Sequence, residues 1–284
     1  MKKLKFMMTL MLMFLLTGCF EDNTMDNIEI ATSAYPIKYV VDILYGNHAK
    51  TASIYPMDSN INNFKITDVS LEQYSKNDMF IFNGMTDEKN YIKSMLKTNN
   101  DLKIIDVTSN MFYDYSIEEI WLDPNNLLTI ANNIKKGFNE YIKSTYLTNE
   151  INENYEKLKI NLTNLDGKYY SVAKNSSTQT IIVSDDAFKY LEKYGITVIS
   201  LDKDTRTEKD IATAKEYKDN GTVKYIFTIY GDTDDTIIQS LIDDGLVKKE
   251  LYSLTNLKNI NLEQNDYISL MNQNLENLKD ELLK

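Results

Sequence analysis

"NNLLTIANNIKKGFNEYIKSTYLTNEINENYEKLKINLTN", residues 125–164, contains one glycine and no proline. Its apolar residues recur at helical spacing, for example at Leu128, Ile134 and Phe138. The stretch is much longer than an average helix of roughly 11–12 residues. The pattern predicts one long, rigid helix, which we place at residues 125–168.

Short apolar runs alternate with amphipathic stretches on both sides of this helix. The strand-like runs lie at 28–36, 51–56, 79–84, 102–108, 180–184, 196–201, 223–229 and 246–254. Strands that alternate with helices favour parallel sheets. The sequence therefore predicts an α/β fold with an N-terminal lobe at 28–124 and a C-terminal lobe at 169–284. In open sheets of this kind, ligands bind beyond the carboxyl ends of the strands, so we expect a site in the cleft between the lobes.

The first eighteen residues have the features of a leader. Three lysines precede a short apolar run from Phe6 to Leu16, and this run is too short for a bilayer span of about 20 residues. Residues 1–18 are therefore predicted to be a signal peptide. Cys19, the only cysteine, is predicted to carry a lipid such as palmitate, with residues 19–27 as a tether to the outer face of the cell membrane. The alternative is an incidental cysteine.

Charge and composition exclude several classes of function. Removal of residues 1–18 takes the formal net charge from −11 to −14, and an acidic surface argues against a nucleic-acid partner. The chain has one histidine, no Gly-rich phosphate loop and no Gly-x-Ser-x-Gly motif. We therefore predict that the protein is not an enzyme.

Six segments, in order along the chain, resemble one known family. They are "SAYPIKYVVDILYGN" (33–47), "IYPMDSNINNFKIT" (54–67), "DMFIFNGMTDEKNYI" (78–92), "EEIWLDPNNLLTIANNI" (118–134), "VSDDAFKYLEKYGI" (183–196) and "NDYISLMNQNLENLKDEL" (265–282). This series is similar to the metal-binding lipoproteins that serve ABC transporters for zinc and manganese, the cluster A-I solute-binding proteins. The resemblance implies two lobes of four-stranded parallel sheet joined by one rigid helix. It also implies an ABC transporter permease as the partner of a monomeric, lipid-anchored receptor.

The family holds its metal between the lobes, usually with three histidines and a carboxylate or two of each. This chain departs from that pattern at every ligand position, where it has Asn62, Glu119, Asp185 and Tyr252. The resemblance places the last of these only to within a residue or two, and Glu250 is close by. Each of these residues offers an oxygen atom, and oxygen donors suit manganese or another hard divalent cation. Zinc is not expected, because zinc prefers nitrogen and sulfur ligands. The alternatives are a non-metal ligand, or a cleft that binds nothing in a protein that acts as a surface scaffold or adhesin.

Other residues near the predicted strand ends and helix starts are candidates for smaller roles. Asp123, before Pro124, is expected to cap the long helix and not to bind a ligand. His48 is expected to be a solvated loop residue. Tyr35 and Tyr55 are the tyrosines best placed to stack on an organic ligand.

Overall fold

The computed structural model describes residues 25–284 except Asp58, Asn60, Asn62, Asn63 and Asp234. The predicted signal peptide, Cys19, the tether before Met25 and the candidate ligand Asn62 lie outside the described residues. No helix in the described part of the chain is long and apolar enough to cross a membrane.

The N-terminal lobe is a parallel sheet with strand order β2-β1-β3-β4. Its strands are β1 (Ile28–Thr32), β2 (Ala49–Ser53), β3 (Met79–Phe82) and β4 (Lys103–Asp106). Its helices are α1 (Tyr35–Tyr45), α2 (Asp68–Ser75) and α3 (Ile92–Thr98), with 3-10 turns at Gly46–His48 and Asp87–Asn90. All four residues of β3 are buried, which is typical of an internal strand of a parallel sheet covered on both faces.

The C-terminal lobe repeats this arrangement with strand order β6-β5-β7-β8, again parallel. Its strands are β5 (Thr180–Val183), β6 (Thr197–Ser200), β7 (Tyr225–Ile229) and β8 (Val247–Leu251). A 3-10 helix follows β5 at Asp186–Tyr194. The two predicted lobes of four-stranded parallel sheet are confirmed.

Three helices connect the lobes: α4 (Glu119–Leu122), α5 (Pro124–Tyr141) and α6 (Thr145–Lys174). The predicted long helix that links the lobes is confirmed as α6, but it begins at Thr145, because the helical run from residue 125 is interrupted between Tyr141 and Thr145. Ile142 has an extended backbone, and the Ser144 hydroxyl caps the new helix by accepting a hydrogen bond from the Leu147 amide. The 30 residues of α6 link the lobes, since α6 packs against α1 on one side and against α9 (Tyr267–Leu282) on the other. The remaining helices, α7 (Glu208–Asp219) and α8 (Thr236–Asp243), belong to the C-terminal lobe.

One hydrophobic core runs through both lobes and the connecting helices. It contains Leu44 of α1, Phe138 of α5, Leu158 of α6 and Leu278 of α9, all with 1% exposure or less. Helix α5 lies so close to β4 that a Cβ atom on Gly137 would come within 2.6 Å of the Ile105 side chain. The continuous core holds the carboxyl ends of the two sheets in a fixed relation.

Candidate functional site

The corner around Trp121 joins the two lobes. Trp121 is fully buried, and its indole Nε1 donates a hydrogen bond to the carbonyl oxygen of Ser253, after β8, at 3.0 Å. The hydroxyl of Tyr267, the first residue of α9, donates to the carbonyl oxygen of Trp121 at 2.7 Å. The corner is therefore fastened to the C-terminal lobe at two points.

Asp123 caps helix α5, as the sequence predicts. Its Oδ1 accepts a hydrogen bond from the Asn125 amide at 2.8 Å. The same carboxylate forms an ion pair with Lys193, whose Nζ also lies 2.8 Å from Oδ1 of Asp166 on α6. Asp123 therefore stabilises the corner from two sides.

Glu119 turns its carboxylate onto its own loop. Its Oε2 accepts hydrogen bonds from the amides of Asp114 and Tyr115 at 3.2 Å and 3.4 Å. Partial burial raises the pKa of Glu119, these two amides lower it, and the charges of Asp114 and Asp123 raise it. This candidate ligand is thus already engaged with main-chain donors.

Asp185 caps the 3-10 helix that follows β5, and its Oδ1 accepts from the Ala187 amide at 2.8 Å. Burial raises the pKa of Asp185 to about 7, against the lowering effect of that amide. The charges of Asp202, Glu118 and Asp186 contribute to the same rise in the pKa, after burial. The corner carboxylate that acts on Asp185 is therefore that of Glu118, one residue before the predicted Glu119.

Glu118 and Asp202 are functional candidates that the sequence did not single out. Glu118 is only 8% exposed, and its carboxylate accepts a short hydrogen bond from the Ser116 hydroxyl. Burial raises the pKa of Glu118, and the Asp202 charge adds to this effect. Asp202 follows β6, so the rule that sites lie at the carboxyl ends of strands could have found it. With Asp185 and Asp186, these residues form what we call the acidic group.

Tyr252 lies away from the acidic group, against α9. Its amide donates to Oδ1 of Asn274 at 2.7 Å, and its hydroxyl lies 3.4 Å from Oε1 of Gln273. Its ring packs against Tyr230 with 4.7 Å between centroids. Among the residues that the structure describes, no three His, Cys, Asp or Glu side chains are arranged to hold a metal ion. Metal ligation by Asn62, Glu119, Asp185 and Tyr252 stays a prediction.

Comparison with known proteins agrees with this architecture. The family described as zinc-uptake complex component A, periplasmic (ZnuA), matches residues 30–281. The chain belongs to the ZnuA family. Members of this family are transport binding proteins, which confirms the prediction that the chain is not an enzyme. No curated protein matches the chain in sequence.

Several solved structures share the ZnuA-type fold. The metal-dependent lipoprotein YcdH of Bacillus subtilis is 18% identical, with a TM-score of 0.74 over 91% of this chain and 100% of that chain. The Zn(II)-bound ZnuA-like domain of Streptococcus pneumoniae AdcA is 17% identical, with a TM-score of 0.73 over 91% and 100%. The laminin-binding protein Lbp of Streptococcus pyogenes is 18% identical, with a TM-score of 0.74 over 90% and 99%. At these identities, the likeness shows the common fold.

Glu88, in the N-terminal lobe, is a second buried carboxyl that sequence reasoning missed. It is 1% exposed and accepts hydrogen bonds from the hydroxyls of Ser33 at 2.6 Å and Tyr55 at 3.0 Å, and from the amide of Asn83 at 2.8 Å. Burial raises its pKa to about 7, and these donors counteract that effect. Glu88 thereby ties together the residues that follow β1, β2 and β3.

The two tyrosines proposed for stacking on an organic ligand are packed within the protein. The Tyr55 ring meets Phe64 edge-on with 5.6 Å between centroids, and its hydroxyl is bonded to Glu88. Tyr35 packs on Tyr39 with a centroid distance of 6.5 Å. Tyr55 is buried, whereas Tyr35 is half-buried, and stacking on an organic ligand stays a prediction.

His48 differs from its predicted role as a solvated loop residue. Its side chain is 22% exposed and has carboxylate partners on both ring nitrogens. Nδ1 lies 2.8 Å from Oδ1 of Asp26, and Nε2 lies 3.1 Å from Oε2 of Glu150 on α6. The bond to Asp26 is the largest cause of a raised His48 pKa. The only histidine of this ZnuA-family chain therefore links Asp26 to α6.

Proposed function

We propose that the protein is the lipid-anchored solute-binding component of an ABC transporter for metal-ion uptake, and that it holds a hard divalent cation between its lobes. The observation that carries this proposal is the ZnuA-family match over residues 30–281, in a two-lobed chain whose corner offers carboxylates in place of imidazoles. A receptor of this kind delivers its cargo to a membrane permease, so the permease is the proposed partner. The proposed receptor is a monomer.

Lipid anchoring rests on the leader and on the start of the folded domain. Residues 1–18 have the signal-peptide pattern, and Cys19 follows them directly. The described chain is held from Met25 onward, whose carbonyl oxygen accepts the Tyr45 hydroxyl at 2.7 Å. A lipid on Cys19 would therefore place the domain close to the outer face of the membrane. Mass spectrometry of the mature N-terminus tests this, and an unmodified Cys19 would contradict it.

The choice of cation follows from the available donor atoms. The chain has one histidine, which is engaged by Asp26 and Glu150, and one cysteine, which is proposed to carry the lipid. Carboxylate and amide oxygens suit manganese, magnesium or calcium, whereas zinc prefers imidazole and thiolate. We therefore expect manganese or another hard cation to bind more tightly than zinc. The Zn(II) bound to the AdcA domain is a property of that protein.

Calorimetric titration with manganese, magnesium, calcium and zinc tests the proposal. Asp185→Asn is the informative variant, because asparagine keeps the helix cap and removes a carboxylate on which the charges of Glu118 and Asp202 act. We expect it to abolish cation binding. Asp123→Asn is the matched control. It should lower stability through the loss of the Lys193 ion pair and leave the affinity unchanged. Equal losses of affinity in both variants would refute the proposed role of Asp185.

A non-binding scaffold or adhesin is the second candidate. One observation favours it: no three His, Cys, Asp or Glu side chains within the described residues form a ready metal site. The same titrations decide between the two candidates. The absence of heat and of any thermal shift with all four metals would favour the scaffold.

A further inference from the structure

We propose that residues 25–27, which precede β1, are fastened to the folded domain by a pH-sensitive clasp at His48, and that they detach when His48 loses its proton. These residues lie between the proposed anchor on Cys19 and the first strand, so their detachment lengthens the tether. The clasp uses none of the residues predicted to bind a metal, and it goes beyond the proposed function.

The clasp joins three parts of the chain through one imidazole ring. His48 ends the 3-10 turn Gly46–His48. Its Nδ1 lies 2.8 Å from Oδ1 of Asp26, and its Nε2 lies 3.1 Å from Oε2 of Glu150 on α6. An ionised carboxylate only accepts hydrogen bonds, so both ring nitrogens must carry a hydrogen to satisfy both contacts. Only the protonated ring has two N–H groups, and the arrangement therefore fits protonated His48 alone.

The groups around the ring favour the protonated form. The titratable side chains that face it are those of Asp26, Glu150 and Tyr146, and the Tyr146 ring meets it edge-on with 6.1 Å between centroids. The hydrogen bond to Asp26 is the largest cause of a raised His48 pKa, and Glu150 adds to it against a lowering by burial. Attachment is therefore strongest at low pH and weakens as the pH rises through a His48 pKa above 6.5.

Backbone strain selects Asp26 as the contact that breaks. A neutral ring can donate to only one of its two carboxylates. Met25 and Asn27, on either side of Asp26, have φ angles of 53° and 58°, in a left-handed region that residues other than glycine and asparagine rarely adopt. Glu150 lies instead within the regular helix α6, whose buried face belongs to the continuous core. Loss of the proton therefore releases the strained segment and leaves the helix in place.

Met25 opposes detachment and also reports it. Its side chain is 5% exposed and belongs to the core, and its carbonyl oxygen accepts the Tyr45 hydroxyl at 2.7 Å. Apolar burial favours attachment at every pH, and protonated His48 adds to it. Three released residues lengthen an extended tether by about 10 Å. An anchored domain would thus stand closer to the membrane at low pH than at high pH.

Methyl NMR of the mature chain with isotope-labelled methionine measures the attachment, because the Met25 methyl group leaves the core when the segment detaches. Met25→Leu assigns the resonance. Spectra are recorded from about pH 5.5 to about pH 9, a range that spans histidine titration. We expect the wild-type resonance to move from a buried position to that of a solvent-exposed methionine, with its midpoint at the His48 pKa.

Glu150→Gln is the informative variant, because a glutamine amide can donate to the Nε2 lone pair of neutral His48 while Nδ1–H still donates to Asp26. The Met25 resonance should then keep its buried position over the whole range. Glu153→Gln, at an exposed position on the same helix, is the matched control and should shift as the wild type does. Asp26→Ala should give the exposed position at every pH.

Three results would overturn the proposal. A wild-type Met25 resonance that stays buried throughout would mean that neutral His48 releases Glu150 and keeps Asp26. A shift that survives Glu150→Gln would mean that another group drives detachment. A buried Met25 resonance in Asp26→Ala would mean that the clasp is not needed for attachment. None of these results depends on a bound metal, so each leaves the proposed function intact.

Discussion

Replacement of Glu88 by glutamine is expected to remove a pH dependence of folding stability. The substitution suits the site, because the hydroxyls of Ser33 and Tyr55 that now donate to Oε1 can reverse and accept from a glutamine amide. The glutamine oxygen can then keep the bond from the Asn83 amide. The shape and the hydrogen bonds are preserved, and only the titration is lost.

The sign and size of the effect follow from the raised pKa of Glu88. Its ordinary value is 4.5, and burial raises it to about 7 in the folded protein. The folded state thus holds the proton more tightly, so the stabilising effect is complete below pH 4.5 and is lost as the pH rises through about 7. A tenfold difference in proton affinity between the folded and unfolded states corresponds to about 1.4 kcal/mol. The free energy of unfolding should therefore fall by about 2.5 kcal/mol between about pH 5 and about pH 8 through Glu88 alone.

Urea unfolding of the wild type and of Glu88→Gln at several pH values measures this effect. Other buried carboxyls, such as Asp185, titrate in both proteins, so the difference between the two curves isolates Glu88. Glu88→Gln should gain about 2.5 kcal/mol relative to the wild type across the range. Parallel curves for the two proteins would refute the reasoning, because Glu88 would then ionise in the folded state as it does in the unfolded chain.

Two further predictions concern histidine titration and helix glycines. The single His48 resonance in a proton NMR titration should give a pKa above 6.5, and Asp26→Asn should lower that pKa. The contribution of this pair to folding stability is then present at low pH and is lost as the pH rises through the His48 pKa. A His48 pKa that Asp26→Asn leaves unchanged would contradict the contact. Gly137→Ala should destabilise by about 1–3 kcal/mol, because its Cβ would collide with Ile105. Gly167→Ala should stabilise the folded protein by about 0.5–1 kcal/mol. Gly167 lies on α6, and no atom comes within 4 Å of the new Cβ. Thermal or urea unfolding measures both glycine variants, and equal shifts would show that the packing of α5 on β4 is not as described.

Local signals in the sequence predicted most of the fold. Seven of the eight strand-like runs contain a whole strand, because buried parallel strands read as short apolar runs. The run at 51–56 only overlaps β2, which begins at Ala49 and has no buried residue. The cap at Asp123 was also predicted, since an acid before Pro124 has a purely local reason to be there. The break after Tyr141 was missed, because it contains no proline or glycine and depends on a serine cap that competes weakly with helix continuation.

The surroundings of the predicted site residues were harder to predict, because they depend on long-range contacts. A shift of one residue on a short helix moves a side chain by about 100° around the axis, so sequence spacing alone could not show that Glu119 turns back onto its own loop. The partners of His48, Asp26 and Glu150, lie 22 and 102 residues away in sequence. Such pairs leave no local signal, whereas Asp202 could be found by its place after a strand.

The joint at Trp121 uses only main-chain oxygens as acceptors: the carbonyls of Ser253 and of Trp121 itself. Every residue type carries such an oxygen, so mutation of the neighbouring positions 119 and 252 leaves the atoms of both bonds in place. The joint that holds the lobes and the side chains predicted to bind the cargo can therefore be altered separately. Libraries that vary positions 119 and 252 should yield folded proteins, with the joint at Trp121 as the invariant part of the scaffold.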